Sequence, residues 1–176
     1  DYILGMIAAG LDSLQGLGTD GDWTLNNAAV KSQYTTQTFT LDFAYVDSLI
    51  GEGGQDHFIF NNNVSLAGSI EGGAGYDTVD YSNYTSPRSI VLTGLSGSDG
   101  FAGTESGTLG LDFMHINKVL GSSTSTADLL TTLNADSIFT VDILNGGTYA
   151  TGGNTLEFVS LDNIMSGTAM DVFNFA

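Results

Sequence analysis

Apolar and polar positions alternate with a period of two in many short segments, which predicts β-strands. Phe58 and Phe60 alternate with His57 and Ile59, and Val79 and Tyr81 with Thr78 and Asp80. Phe39 and Leu41 stand against Thr38 and Thr40, and Phe139 and Val141 repeat the pattern. β-Branched and aromatic residues dominate these segments, as strands prefer. Helical signal is slight. Gly5, Gly10 and Gly16 interrupt residues 4–17, each weakening a helix by ~1 kcal/mol. Residues 125–133 are expected to form one short helical turn capped by Ser125 or Thr126.

The segments repeat. Residues 42–60 read DFAYVDSLIGEGGQDHFIF and residues 157–175 read EFVSLDNIMSGTAMDVFNF. Phe43, Val46, Asp47, Leu49, Asp56, Phe58 and Phe60 match Phe158, Leu161, Asp162, Ile164, Asp171, Phe173 and Phe175, each pair 115 apart. A third copy, 112–130, keeps Phe113, Ile116, Asn117, Val119, Gly121 and Asp128. A fourth is truncated at its start: Leu4, Gly5, Asp12 and Leu14 match Leu120, Gly121, Asp128 and Leu130 at an offset of 116. Leu17, Asp20, Trp23 and Leu25 continue it onto Leu133, Asp136, Phe139 and Val141. The chain thus reads as one domain, 1–176, holding about one and a half copies of a 115-residue unit. Starting mid-pattern, it looks like a mature or excised segment of a longer array.

A smaller period lies inside the unit. Asp12 to Asp56 is 44 residues, Asp56 to Asp77 is 21 and Asp128 to Asp171 is 43. These are multiples of about 21–22, which predicts an all-β fold: a β-solenoid of the parallel β-helix or β-roll kind, roughly eight coils deep. The step of 51 from Asp77 to Asp128 is assigned to a Gly/Ser-rich loop excursion at 95–111. Each coil buries its apolar face only against its neighbours. Phe43, Phe113 and Phe158 should point inward, as should Phe58, Phe173 and Trp23. Open terminal edges predict pairing with further copies.

Composition narrows the functional classes. Glycine is 24 of 176 residues with a single proline, as tight turns between strands require. Lys31, Arg88 and Lys118 are the only Lys/Arg residues against 20 acidic ones, giving a net charge of −17. Nucleic-acid binding rests on phosphate neutralisation and is disfavoured. An acidic excess suits solubility and divalent cations. Cysteine is absent, which excludes disulfides and thiol chemistry. No basic signal segment opens the chain, and no run of about 18 apolar residues predicts a membrane span.

Two glycine-rich turns end in aspartate: Gly51-Glu52-Gly53-Gly54-Gln55-Asp56 and Gly72-Gly73-Ala74-Gly75-Tyr76-Asp77. The second, continued through Thr78-Val79-Asp80, fits the calcium-binding pattern G-G-x-G-x-D-x-U-x at every specified position. The first has Glu52 where a glycine belongs. Glycines let carbonyl oxygens converge, and the aspartate adds a carboxylate to the six to eight oxygens that calcium takes. The candidate metal residues are Gly51, Gly53, Gly54, Asp56, Gly72, Gly73, Gly75, Asp77 and Asp80, with Glu52 and Glu71 assisting. In the alternative reading, glycine supplies the turn and aspartate accepts backbone hydrogen bonds.

Residues 51–80 resemble the haemolysin-type (RTX) calcium-binding repeat. Over nearly its whole length the chain is similar to the repeat regions of large bacterial secreted or surface proteins, adhesin-like in type. The segment SIEGGAGYDTVDYSNYTSP (69–87) is the nearest match. The resemblance implies an exported β-solenoid at the bacterial surface or outside the cell. It implies no defined activity. It departs from the family in spacing, since the good turns lie 21 residues apart rather than nine.

Catalytic signals are weak. His57 and His115 are solitary in strand-like contexts, and no Asp/Glu pair stands out. The leading expectation is a structural segment: stalk, adhesin spacer or self-assembling fibre subunit, stacking head to tail. A module binding a cell-surface glycan or partner is the second. It needs exposed aromatics, with Tyr81 and Tyr84 expected as the exposed pair. A polysaccharide-acting enzyme is the remote third.

Overall fold

The computed structural model describes residues 2–4, 11–27, 31–107, 109–110 and 112–176. Gly5 and Gly10 of the helix and repeat readings and Thr108 and Leu111 of the expected loop lie outside them. The described residues are all-β and contain no helix. In chain order the strands are β1 (Tyr2–Leu4), β2 (Ser13–Gln15), β3 (Gly21–Leu25), β4 (Ser32–Thr35), β5 (Thr40–Ala44), β6 (Ser48–Ile50) and β7 (Asp56–Phe60). Next come β8 (Ile70–Glu71), β9 (Thr78–Asp80), β10 (Ser89–Leu95), β11 (Phe101–Glu105), β12 (Phe113–Ile116) and β13 (Lys118–Leu120). Last are β14 (Leu129–Thr131), β15 (Ser137–Ile143), β16 (Gly146–Thr151), β17 (Asn154–Val159), β18 (Asn163–Met165) and β19 (Asp171–Phe175).

They form two mixed sheets. The larger, of eleven strands, runs β1-β5-β4-β3-β7-β9-β13-β17-β16-β15-β19. The smaller, of eight, runs β18-β14-β10-β11-β12-β8-β6-β2. Neither sheet closes on itself. Between β6 and β9 the chain passes from sheet to sheet, and each strand pairs in parallel with its counterpart from the previous pass. Leu49 stands opposite Ile70 and His57 opposite Thr78, so this pass advances by 21 residues.

Uniform parallel coils of 21–22 residues are not what forms. Three meanders interrupt the alternation: β3-β4-β5, β10-β11-β12 and β15-β16-β17. Each turns back inside one sheet through antiparallel pairings. Its third strand then lands in parallel on the preceding pass: β5 on β1, β12 on β8, β17 on β13. Local turn chemistry explains the reversals. Gly152 and Gly153, with φ of 58° and 91°, form the two-residue link between Thr151 and Asn154 of β16 and β17. Paired positive φ values are what a tight hairpin needs. Residues 95–111, expected as a loop, contain β11, whose alternating burial a Gly/Ser-rich composition conceals. The expected helical turn at 125–133 is also absent; Leu129–Thr131 are β14.

The two repeats occupy the same places in the topology. β5-β6-β7 and β17-β18-β19 are each the last strand of a meander, a strand of the small sheet and a strand of the large one. Tyr45, His115 and Ser160 match one another across the three copies, and all three have left-handed φ, of 58°, 54° and 55°. A shared backbone irregularity marks the last strand of each meander, just past β5 and β17 and within β12, although no glycine occupies it.

One core lies between the sheets. The large sheet supplies mostly aromatics: Trp23 stacks on Phe58 at 5.8 Å and on Tyr34 at 4.1 Å, and Phe60 stacks on Tyr81 at 5.0 Å. The small sheet supplies Leu49, Ile70, Ile90 and Leu130, all buried. Phe43, Phe113, Phe158 and Trp23 point inward as expected. Phe173 departs from Phe58, being 44 % exposed against 0 %, because β19 is the outermost strand of its sheet.

Candidate functional site

The turns at 51–56 and 72–77 lie one above the other. Gly53 bridges Ala74 in parallel, and the Ala74 N–H donates to the Glu52 carbonyl at 3.0 Å. Gly51 and Gly72 each close a small-sheet strand, and each faces its own aspartate across the turn. A Cβ on Gly51 would run into the Gly72 carbonyl and Asp56 Oδ2, and one on Gly72 into the His115 carbonyl and Asp77 Oδ2. Here glycine is needed for close approach. At Gly73 it is needed for φ, which is 95°. Glu52 stands at the matching position with φ of 79°, so a side chain occupies a glycine conformation. Gly54 and Gly75 also have positive φ, 94° and 139°.

Asp56 and Asp77 begin β7 and the turn into β9, and both side chains are buried. Asp56 Oδ1 accepts from Trp23 Nε1 at 3.0 Å. The Asp56 N–H donates to Asp77 Oδ1 at 2.9 Å, and the Asp77 N–H donates to Asn117 Oδ1 at 2.9 Å. The Asp77 and Asn117 side chains thus each cap the N–H of the aspartate one pass earlier. Loss of hydration on burial pushes the Asp56 carboxyl up to about 7, against the Trp23 hydrogen bond, and Asp77 adds like charge. Burial likewise pushes Asp77 up to about 6. The Oδ2 atoms of both have no hydrogen-bond partner.

The same device recurs in the small sheet. The Asp12 N–H donates to Asp47 Oδ2 at 2.8 Å, and the Asp128 N–H to Asp162 Oδ2 at 2.9 Å. Asp128 Oδ1 accepts from the Arg88 N–H, and its Oδ2 is another buried oxygen without a partner. The aspartates that the repeat keeps in register therefore join successive passes. Asn117 belongs to this ladder, but sequence matching showed it only as a fitted position.

Asp80 stands apart from Asp56 and Asp77. Burial works to raise its carboxyl, but hydrogen bonds from His57 Nε2 at 3.0 Å and from the Ser82 N–H at 2.7 Å outweigh it and hold it below the usual range. Glu71 pairs with His115, and Glu52 accepts from Gln15. So both histidines rest against carboxylates, and Glu52 and Glu71 turn to partners of their own. Among the described residues no three His, Asp or Glu side chains gather into a metal-binding group. What the stacked turns do present is oxygen only: two orphaned carboxylate oxygens beside the Gly72 and His115 carbonyls. That donor chemistry fits a hard cation.

Tyr81 and Tyr84 are not exposed. Tyr81 is in the core on Phe60, and Tyr84 is buried with its hydroxyl donating to the Val64 carbonyl. The Arg88 guanidinium lies 4.3 Å from the Tyr84 ring centre and 3.4 Å from Glu105. Period-two alternation put Tyr81 on the inner face all along, but the turn beside it suggested exposure.

No protein-family model, curated protein or solved structure matches this chain.

Proposed function

We propose that the chain is a structural segment of an extracellular bacterial protein, a β-solenoid acting as stalk, adhesin spacer or fibre subunit, with no catalytic role. The observation that carries this reading is the aspartate ladder: the residues that repeat in sequence are spent on joining one pass to the next. A protein built to act on a substrate would hold its recurring polar groups toward a cleft instead. Calcium at the stacked 51–56 and 72–77 turns fits this role, since it would neutralise Asp56 and Asp77 and tie two passes together. The RTX-like motif at 72–80 supports an exported setting. The glycan-binding alternative expected Tyr81 and Tyr84 as its exposed pair, and their burial counts against it, although Tyr45 and Tyr76 are exposed.

Pulling the chain by its two ends tests the reading. A stack of passes linked to nearest neighbours should unravel in successive steps. The 21-residue pass between β6 and β9 releases about 70 Å of extended chain, and the passes that carry a meander release more. A single all-or-none rupture would count against a solenoid stalk.

A further inference from the structure

We propose that a groove on the outer face of β15, β16 and β19 binds a small ligand with an apolar body and a cationic end. The site would add a binding role to a structural segment, and it does not depend on the stalk reading.

The groove occurs in both copies of the repeat. In the first it lies between the Asp20 turn and the β4–β5 hairpin, where Asp20, Gly21, Asp22, Thr35, Thr36 and Gln55 line it. In the second it lies between the Asp136 turn and the β16–β17 hairpin. There Asp136, Ser137, Ile138, Ala150, Thr151 and Met170 hold the same places. Backbone pairing fixes the correspondence. Asp22 stands opposite Thr35 and His57, and Ile138 opposite Ala150 and Val172. The Gln55 N–H donates to Asp20 Oδ1 at 2.9 Å, and the Met170 N–H to Asp136 Oδ1 at 3.1 Å.

The frame is kept but the lining changes character. Asp20 recurs as Asp136 and Thr36 as Thr151. Elsewhere polar side chains give way to apolar ones: Asp22 to Ile138, Thr35 to Ala150, Gln55 to Met170 and His57 to Val172. Ile138 is 50 % exposed, Met170 67 % and Val172 42 %. Single exposed apolar residues are ordinary, but a contiguous set in a concavity marks a binding site. The outermost position of β19 does not create this exposure. Its counterpart β7 has β9 beyond it, yet Asp22 and Gln55 are exposed in the first groove. The polar lining there suits open water; the apolar lining of the second groove suits an occupant.

The size and charge of the groove define that occupant. Its volume of about 470 Å³ falls within the range of small-ligand sites, roughly 300–1,000 Å³. Its few side chains fall far short of the roughly 20 residues a side of a stable protein interface, which argues against a second copy. Asp136 is the one charged residue that lines the groove, and it is exposed. The chain's net charge of −17 repels anions. An aromatic or aliphatic amine meets both demands, with its body on Ile138, Val172 and Met170 and its ammonium beside Asp136.

The test titrates the full 176-residue chain with 1-naphthylmethylamine and with its anionic counterpart 1-naphthoate, following chemical shifts. Saturable shifts are expected at Ile138, Ala150, Thr155, Met170 and Val172. The amine should bind several-fold more tightly than the carboxylate, and salt should narrow the gap. Ile138→Thr, Met170→Gln and Val172→Thr combined keep side-chain shape and strand preference and should weaken the amine on the order of tenfold or more. Asp136→Asn should leave apolar binding in place and reduce the preference for the amine. Any of five results overturns the proposal: no saturable shift, shifts confined to Phe173 and Phe175 at the sheet edge, the carboxylate binding as tightly as the amine, unchanged affinity in the triple variant, or self-association of the chain that buries Ile138 and Val172. The last would make a second copy the occupant.

Discussion

At the scale of single residues, glycine and aspartate carry the design. Glu52 and Gly73 occupy matching turns with φ of 79° and 95°. A left-handed conformation costs a non-glycine residue about 1–2 kcal/mol. Glu52→Gly should therefore stabilise the chain by about 1 kcal/mol in urea unfolding, although it gives up the exposed hydrogen bond from Gln15. Gly73→Glu should do the reverse and more, because its Cβ would run into the Glu52 backbone. The buried aspartates set a pH dependence. Asp56 titrates near 7 folded, against an ordinary value of 3.8. The folded state then binds more protons than the unfolded state over that interval. Stability is fully present below about pH 4, falls as pH rises and levels off above about 7, with a slope of up to about 1.4 kcal/mol per pH unit. Melting in chelator across pH 4–8 should show this decline, and calcium should reduce it by taking the proton's place. Asp56→Asn should make the curve shallower and leave the fall that Asp77 contributes up to about pH 6, since Asn117 already serves one rung of the ladder as an amide. A flat profile for the unmodified chain would remove the argument.

At the scale of elements, identical sequence does not give identical energetics. Phe58 and Phe173 are matched 115 residues apart, but only Phe58 has a strand on both sides. Phe58→Ala should cost ~3–5 kcal/mol, as for a buried core aromatic. Phe173→Ala should cost roughly 1 kcal/mol, because half of its surface is already wet. Equal losses in urea unfolding would mean that β19 is covered in solution. The strands β5-β6-β7 and β17-β18-β19 were legible from this same repeat, since alternation and a fixed offset both survive in the sequence. The meanders were not. Tyr45, His115 and Ser160 hold a left-handed position in or just after the last strand of each one, and no glycine marks it. In β11, Ala102 and Gly103 leave Phe101 alone to signal a strand. The aspartate frame was visible at once, but its role was not. An aspartate that binds a cation and one that caps the next pass look the same until the neighbouring N–H is placed.

At the scale of the whole molecule, the ladder makes one pass removable. Excise residues 61–81, and the flanking groups still meet. Gly51 would take the place of Gly72, whose N–H donates to the Met114 carbonyl at 2.9 Å. Asp56 would take the place of Asp77 and offer its N–H to Asn117. Leu49 would meet Phe113 where Ile70 did, and Phe58 would meet Val119 where Val79 did. Phe60 would occupy the position of Tyr81 against Tyr84. The losses include one layer of core, the Phe60–Tyr81 stack, the hydrogen bond from the Tyr84 hydroxyl to Val64 and the pairings of His57 with Asp80 and of His115 with Glu71. Removing an equal length across a meander, residues 101–121, has no such seam. It takes out β11, β12 and β13 and leaves β10 without its antiparallel neighbour. The first deletion should fold and melt cooperatively at a lower temperature than the full chain, as nearest-neighbour stacking requires. The second should lose its cooperative transition. Circular dichroism melts of the two deletions decide it: if both collapse, the passes are not independent units, and the chain's stability belongs to a single indivisible core.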